Sequence, residues 1–262
     1  MAIIGDHPTN RHPYGDSLTA ADSIVATTIQ HRSLLECGRN EEFLGYTVQA
    51  LQRHHIDEAT LRRRQELMRE QNITGANYQR VSPYPTNPNT RKGNFAEIVL
   101  AEYLLATTDA HMPIYRLRYN PNPDQAMKGD DVLLFDLDSP EPRIIVGESK
   151  FRGTPTRQAV CDIIEGLVRS NKSMIPVSLT FVSDRLFGSG NEALGQKVLN
   201  CVNLIISNRI DVHYVGFLLS NTNSSQCIET HAVCDMRNLL MLSLGMDTPE
   251  NIVEQAFRQL EA

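Results

Sequence analysis

Residues 128–150 constrain the fold more tightly than any other stretch of the chain. Lys128-Gly129-Asp130-Asp131 leads into the apolar run Val132-Leu133-Leu134-Phe135. A polar break carrying Pro140 and Pro142 follows, and then Arg143-Ile144-Ile145-Val146-Gly147-Glu148-Ser149-Lys150. Two short apolar runs separated by a proline-containing turn predict two antiparallel strands. The first begins on an acid and the second ends in Glu-x-Lys. Side chains alternate across a strand, so Glu148 and Lys150 share a face. The same alternation admits only one of Asp130 and Asp131 to that face. Asp131 touches the apolar run directly and is the better placed, with Asp130 turned outward or capping the turn.

Around this pair the chain alternates helices with strands. Residues 1–27 read as irregular, with a strand or short helix around 23–28. Helices are predicted over 41–55, with Phe43, Leu44, Val48 and Leu51 on one side, and over 58–71. The second is capped by Asp57 and turns Leu61, Leu67 and Met68 inward. Pro83, Pro85 and Pro88 make 75–92 a linker or long surface loop. It divides an N-terminal mainly helical region, 1–90, from a main domain, 91–262. A helix over 95–107 follows Asn94 and places Glu97 in its first turn, where the helix dipole favours a carboxylate. Further along, strands are expected at 116–119, 177–182 and 211–220. Helices are expected from near Pro155 to about 171, over 191–207, over 235–244, and after Thr248-Pro249-Glu250. A polar turn at 221–225 leads into a strand or irregular run. The fold class is α/β, a mixed central sheet flanked by helices on both sides.

With 262 residues the chain has room for a large core. No apolar run approaches the ~20 residues that span a bilayer, and the first ten residues are too polar for a secretory signal. Five cysteines form no Cys-x-x-Cys pair and are odd in number, which predicts reduced, buried thiols in a cytoplasmic protein. A net charge of -6 argues against tight, unaided, nonspecific binding to nucleic acid. It does not exclude an enzyme whose carboxylates hold cations that meet phosphate, and it suggests that a partner delivers the substrate. Arg62-Arg63-Arg64 has acidic neighbours in Glu58, Glu66 and Glu70, so an ion-paired, solvated face is the reading there. His54-His55 reads as a surface pair. There is no Gly-rich phosphate loop, Gly-x-Ser-x-Gly or His-Glu-x-x-His.

The charged groups of 128–150 fit one chemistry. Phosphodiester hydrolysis needs neutralised phosphate charge, an activated water and help for the leaving oxygen. Mg²⁺, with Mn²⁺ as a substitute, takes one or two carboxylates plus waters and substrate oxygens. Asp131 and Glu148 would hold the ion, helped by the Ser149 carbonyl, and Glu97 would supply a further ligand. Lys150 would orient the attacking water. Glu-x-Lys alone is commonplace and would read as a surface ion pair. At the end of a buried apolar strand such charges are uncommon, and Asp131 and Glu97 complete a four-part set: Glu97, Asp131, Glu148 and Lys150.

That set, with Gly129-Asp130-Asp131-Val132 and Val146-Gly147-Glu148-Ser149-Lys150, resembles the PD-(D/E)XK nuclease superfamily. The resemblance implies a restriction-endonuclease-like sheet and divalent-metal cleavage of nucleic acid. It casts Glu97 as the helix acid, Asp131 as the strand acid, and Glu148 and Lys150 as the paired catalytic residues. Arg91-Lys92-Gly93-Asn94-Phe95-Ala96-Glu97, Lys128-Gly129-Asp130-Asp131 and Gly147-Glu148-Ser149-Lys150-Phe151-Arg152 are similar more narrowly to the HamA family, the nuclease component of the Hachiman anti-phage defence system. That resemblance implies a DNA substrate and a helicase partner, HamB, which restrains the nuclease. The adjacent aspartates depart from the pattern and leave the choice of ligand between them open. A control surface is expected on 41–71 or on the C-terminal helix. The competing reading is a catalytically silent subunit of the same fold that binds nucleic acid or a partner. All four positions carry functional side chains, which favours the enzyme.

Overall fold

Three apolar runs build the centre of a six-stranded sheet in the computed structural model, which describes residues 2–9, 11–26, 29–72 and 82–261. They are β4 (Arg143–Phe151), β5 (Asp211–Ser220) and β6 (Leu239–Gly245). All three run parallel. Strands covered on both faces carry near-continuous apolar sequence, and β6 is buried along its whole length. β3 (Val132–Asp136) pairs antiparallel with β4, Val132 opposite Gly147 and Asp136 opposite Arg143, as the hairpin reading required. The strand order is β1-β2-β6-β5-β4-β3.

The outer strands on the other side come from the N-terminus, where the sequence reading expected irregular chain with one strand or short helix around 23–28 and the structure has a full hairpin. A short helix α1 (Pro13–Ser17) leads into β1 (Leu18–Val25), which pairs antiparallel with β2 (Ile29–Glu36). β2 in turn runs parallel to β6. Residues before 90 therefore supply two strands of the one sheet, and the division drawn at residue 90 does not separate it from the rest.

Helices α2 (Asn40–His55), α4 (Pro88–Thr107) and α9 (Pro249–Glu261) cover one face, on a core that includes Phe43, Leu51, Phe95, Leu100 and Phe257. Helices α5 (Arg157–Ser173), α6 (Leu179–Gly188), α7 (Glu192–Ile206) and α8 (Ser224–His231) supply the other face, around Ile163, Leu167, Leu186 and Val198. Helix α3 (Glu58–Glu70) has the expected Asp57 cap, whose side chain accepts from the Thr60 amide, but it buries none of its residues. Leu61, Leu67 and Met68 do not enter the core.

Four further segments differ from expectation. Residues 116–119 form a 3-10 turn, not a strand. The β-prone segment 177–182 enters α6, and the polar run after 221 becomes α8. The segment 235–244, read as helical, supplies all of β6 but its last residue. The first part of the expected linker, 75–81, lies outside the described residues, but its end is helical: α4 begins at Pro88, with Asn87 Oδ1 accepting from the Asn89 and Thr90 amides. Of the five thiols, only Cys201 is buried and Cys37 is exposed. His54 and His55 are both buried, against the surface reading. Among the described residues no helix is long and apolar enough to cross a membrane.

Candidate active site

The functional side chains gather where the β3–β4 hairpin meets α4. Because α4 begins at Pro88, Glu97 lies well past its first turn. The dipole explanation for this acid therefore fails. Glu97 is buried under the sheet edge at 7% exposure, and a carboxylate there needs a partner. Arg116 supplies it. Its Nε and Nη2 donate to the two Glu97 oxygens at 2.8 and 2.7 Å, a bidentate pair. Nη2 also donates to Asp131 Oδ1 at 3.1 Å. Burial pushes the Glu97 carboxyl up to about 7, against the pull of Arg116.

Asp131 sits immediately before β3 and is fixed from two sides. Besides Arg116, its Oδ2 accepts from the Ser149 amide at 2.9 Å and from Ser149 Oγ at 3.0 Å. Asp130 faces away, though inward and not out to solvent. Its amide donates to Ser178 Oγ and the Ser178 amide donates back to Oδ2, both at 2.9 Å. Ser170 Oγ donates to Oδ1 at 3.3 Å. Gly129 makes this turn feasible: its φ is +118°, and a Cβ there would lie 2.6 Å from Ser178 Oγ. Asp130 thus ties the head of β3 to α5 and α6.

Glu148 and Lys150 share a face of β4, and Lys150 Nζ donates to Glu148 Oε1 at 2.5 Å. The Glu148 side chain lies against α5 at Gly166. Burial and the nearby Asp131 carboxylate both push its carboxyl upward, against Lys150 and Arg116. A cleft of about 380 Å³ opens beside these residues, lined by Glu97, Arg116, Asp131, Ser149 and Lys150 and by the first turns of α4.

Three carboxylates (Glu97, Asp131, Glu148) thus face two cations (Arg116, Lys150), which leaves the cluster one negative charge in excess when all are ionised. The donor chemistry suits a hard divalent ion held by two carboxylates, Asp131 and Glu148. It does not suit a three-carboxylate cage. Among the described residues no three His, Cys, Asp or Glu side chains converge closely enough to hold a metal; the Glu97 oxygens both meet Arg116, and those of Asp131 meet Arg116 and Ser149. Sequence reasoning missed Arg116, which it placed on a strand without a role; a buried acid on α4 was the one sign that a cation had to meet it.

The HamA family model matches residues 20–260 of the chain. Hachiman protein HamA of Bacillus cereus is 33% identical over 265 residues, an alignment covering 99% of this chain and 94% of the relative.

Proposed function

The chain belongs to the HamA family, and from that premise we propose that this component of Hachiman anti-phage defence is a metal-dependent deoxyribonuclease controlled by a helicase partner of the HamB kind. The observation that carries the reading is the meeting of Asp131 with the Glu148–Lys150 pair at one end of a hairpin, beside an open cleft.

In this reading Asp131 and Glu148 hold Mg²⁺, or Mn²⁺ in its place. The chemistry such an ion supplies when bound is polarisation of a phosphoryl oxygen and a more acidic attacking water. The chain's own residues do the rest. The Ser149 amide and hydroxyl, with Arg116, lock the rotamer of Asp131. Lys150, tethered to Glu148, orients the water and offsets negative charge as it develops on the phosphate. Glu97 acts through Arg116 as a positioning residue and need not touch the ion. The PD-(D/E)XK mechanism is supported by the chemistry of these side chains and their order along the chain.

The test is cleavage of plasmid and linear DNA in Mg²⁺ or Mn²⁺ by the wild type, Glu148→Ala and Lys150→Ala. Each substitution is expected to lower the rate about 100-fold or more, with the fold intact by circular dichroism. Equal cutting by all three proteins sinks the mechanism.

A further inference from the structure

We propose that Lys92 and Arg152 form a lip that grips the DNA backbone at phosphates next to the one being cut, a role that rests on the nuclease reading above. The chain as a whole carries a charge of -6, yet the cleft is lined by four cations, Lys92, Arg116, Lys150 and Arg152, against two carboxylates, Glu97 and Asp131. Glu148, Glu250 and Asp162 stand just outside that lining and pair with Lys150, Lys92 and Arg152 in turn.

Ion-pair geometry decides which of the four can serve a substrate. Arg116 is committed, with bonds of 2.7 and 2.8 Å to a buried carboxylate. Lys150 is held by Glu148 at 2.5 Å. Lys92 and Arg152 are different. Lys92 lies 3.8 Å from Glu250 and Arg152 lies 3.9 Å from Asp162, with the two cationic side chains 33% and 45% exposed. Exposed pairs at such separations contribute little and are readily exchanged. Each cation is also aimed. The Lys92 ammonium stands 5.4 Å over the Phe151 ring. Arg152 Nη1 donates to the Phe151 carbonyl at 2.8 Å, which leaves the rest of its fork for phosphate oxygens.

The neighbouring Arg91 provides a contrast. Its Nε donates to the Pro85 carbonyl at 2.6 Å, its guanidinium covers the Phe257 ring at 5.0 Å, and Nη2 pairs with Glu261. Arg91 staples the start of α4 to the end of α9, while Lys92, one residue on, faces the cleft. Lys92 from α4 and Arg152 from the end of β4 therefore stand on two elements beside Asp131, where a strand would pass.

The experiment uses the full chain with Glu148→Gln, so that DNA is bound and not cut, and a fluorescent DNA duplex titrated between about 50 and 200 mM salt. Adding Lys92→Ala and Arg152→Ala together is expected to weaken binding roughly tenfold and to reduce the salt slope by roughly 0.9 for each phosphate no longer neutralised, about 1.8 for the two. Lys92→Arg with Arg152→Lys restores both, and Arg91→Ala keeps the full slope. An unchanged slope in the double alanine variant overturns the lip, as does an equal loss with Arg91→Ala. Cleavage by the wild type in Mg²⁺ is read separately. Cutting with an unchanged slope removes only the lip, whereas lip-dependent binding without cutting removes only the nuclease reading.

Discussion

Asp130 and Asp131 are adjacent in sequence and part company at the head of β3, one toward the helices and one toward the cleft. Asp130 exchanges two hydrogen bonds with Ser178 and accepts a third from Ser170. Removing its carboxylate strands a buried amide and a hydroxyl, at about 1–3 kcal/mol. Asp131 is partly exposed and lines the cleft, so water can replace its carboxylate on Arg116 and on the Ser149 amide. Asp130→Ala is therefore expected to melt several degrees lower while retaining Mn²⁺ affinity by calorimetry, and Asp131→Ala to melt near the wild type while losing that affinity. The reverse pattern would reassign the ligand. The sequence reading put Asp131 beside the second strand, where its carboxylate meets the Ser149 amide and hydroxyl. It sent Asp130 outward because the partner that captures it, Ser178, lies 48 residues away on a segment read as a strand.

At the level of elements, the site depends on how closely α5 packs on β4. A methyl group at Gly166 would come within 3.1 Å of Glu148 Cδ and 3.3 Å of its Cγ. Gly166→Ala raises helix propensity by about 1 kcal/mol, so stability alone favours alanine. Glu148, however, must then shift by a few tenths of an ångström, and Lys150 moves with it through their 2.5 Å bond. The variant is expected to melt at or above the wild-type temperature and to cut DNA about tenfold more slowly, since misplacement of about 1 Å costs up to 10²-fold. Unchanged turnover in a steady-state assay would show that the Glu148 position has slack. Elements were legible where the pattern was local: β3, β4 and β5, and the helices behind Asp57 and over 192–206. Misreadings came where tertiary burial overrode propensity. Leu239-Leu240-Met241-Leu242 is a run of helix formers that the sheet takes as a parallel strand, and Val177-Ser178-Leu179-Thr180-Phe181-Val182 is a β-prone run that starts a helix. Neither outcome is visible without the neighbours.

Across the whole molecule, Glu102 joins the N-terminal helix to the helix that bears the site. It lies five residues past Glu97 on another face of α4 and is almost fully buried. It accepts from Tyr46 at 2.8 Å, from Arg53 at 2.7 Å and from His54 at 2.7 Å, all on α2. Arg118 donates twice to the Arg53 carbonyl, at 2.9 and 2.7 Å, so the turn that carries Arg116 is fastened to the same seam. No local pattern announced this network, because its members are 48 to 65 residues apart. Burial alone would raise the Glu102 carboxyl, but hydrogen bonds and charge from His54, Arg53 and Tyr46 outweigh it and hold the group at about 2. Burial lowers the His54 imidazole, against the hydrogen bond its Nε2 makes to Glu102. A carboxyl whose folded value lies below its unfolded value stabilises the fold above the unfolded value, 4.5, and loses that contribution as pH falls toward 2. The contribution is on the order of 3 kcal/mol. Urea unfolding of the wild type and Glu102→Gln is therefore expected to show a wide stability gap at pH 6 that closes between about pH 4.5 and 2, where the protonated acid matches the amide in charge and shape. A gap that stays constant through that range would mean that Glu102 is not the charge that fastens α2 to α4.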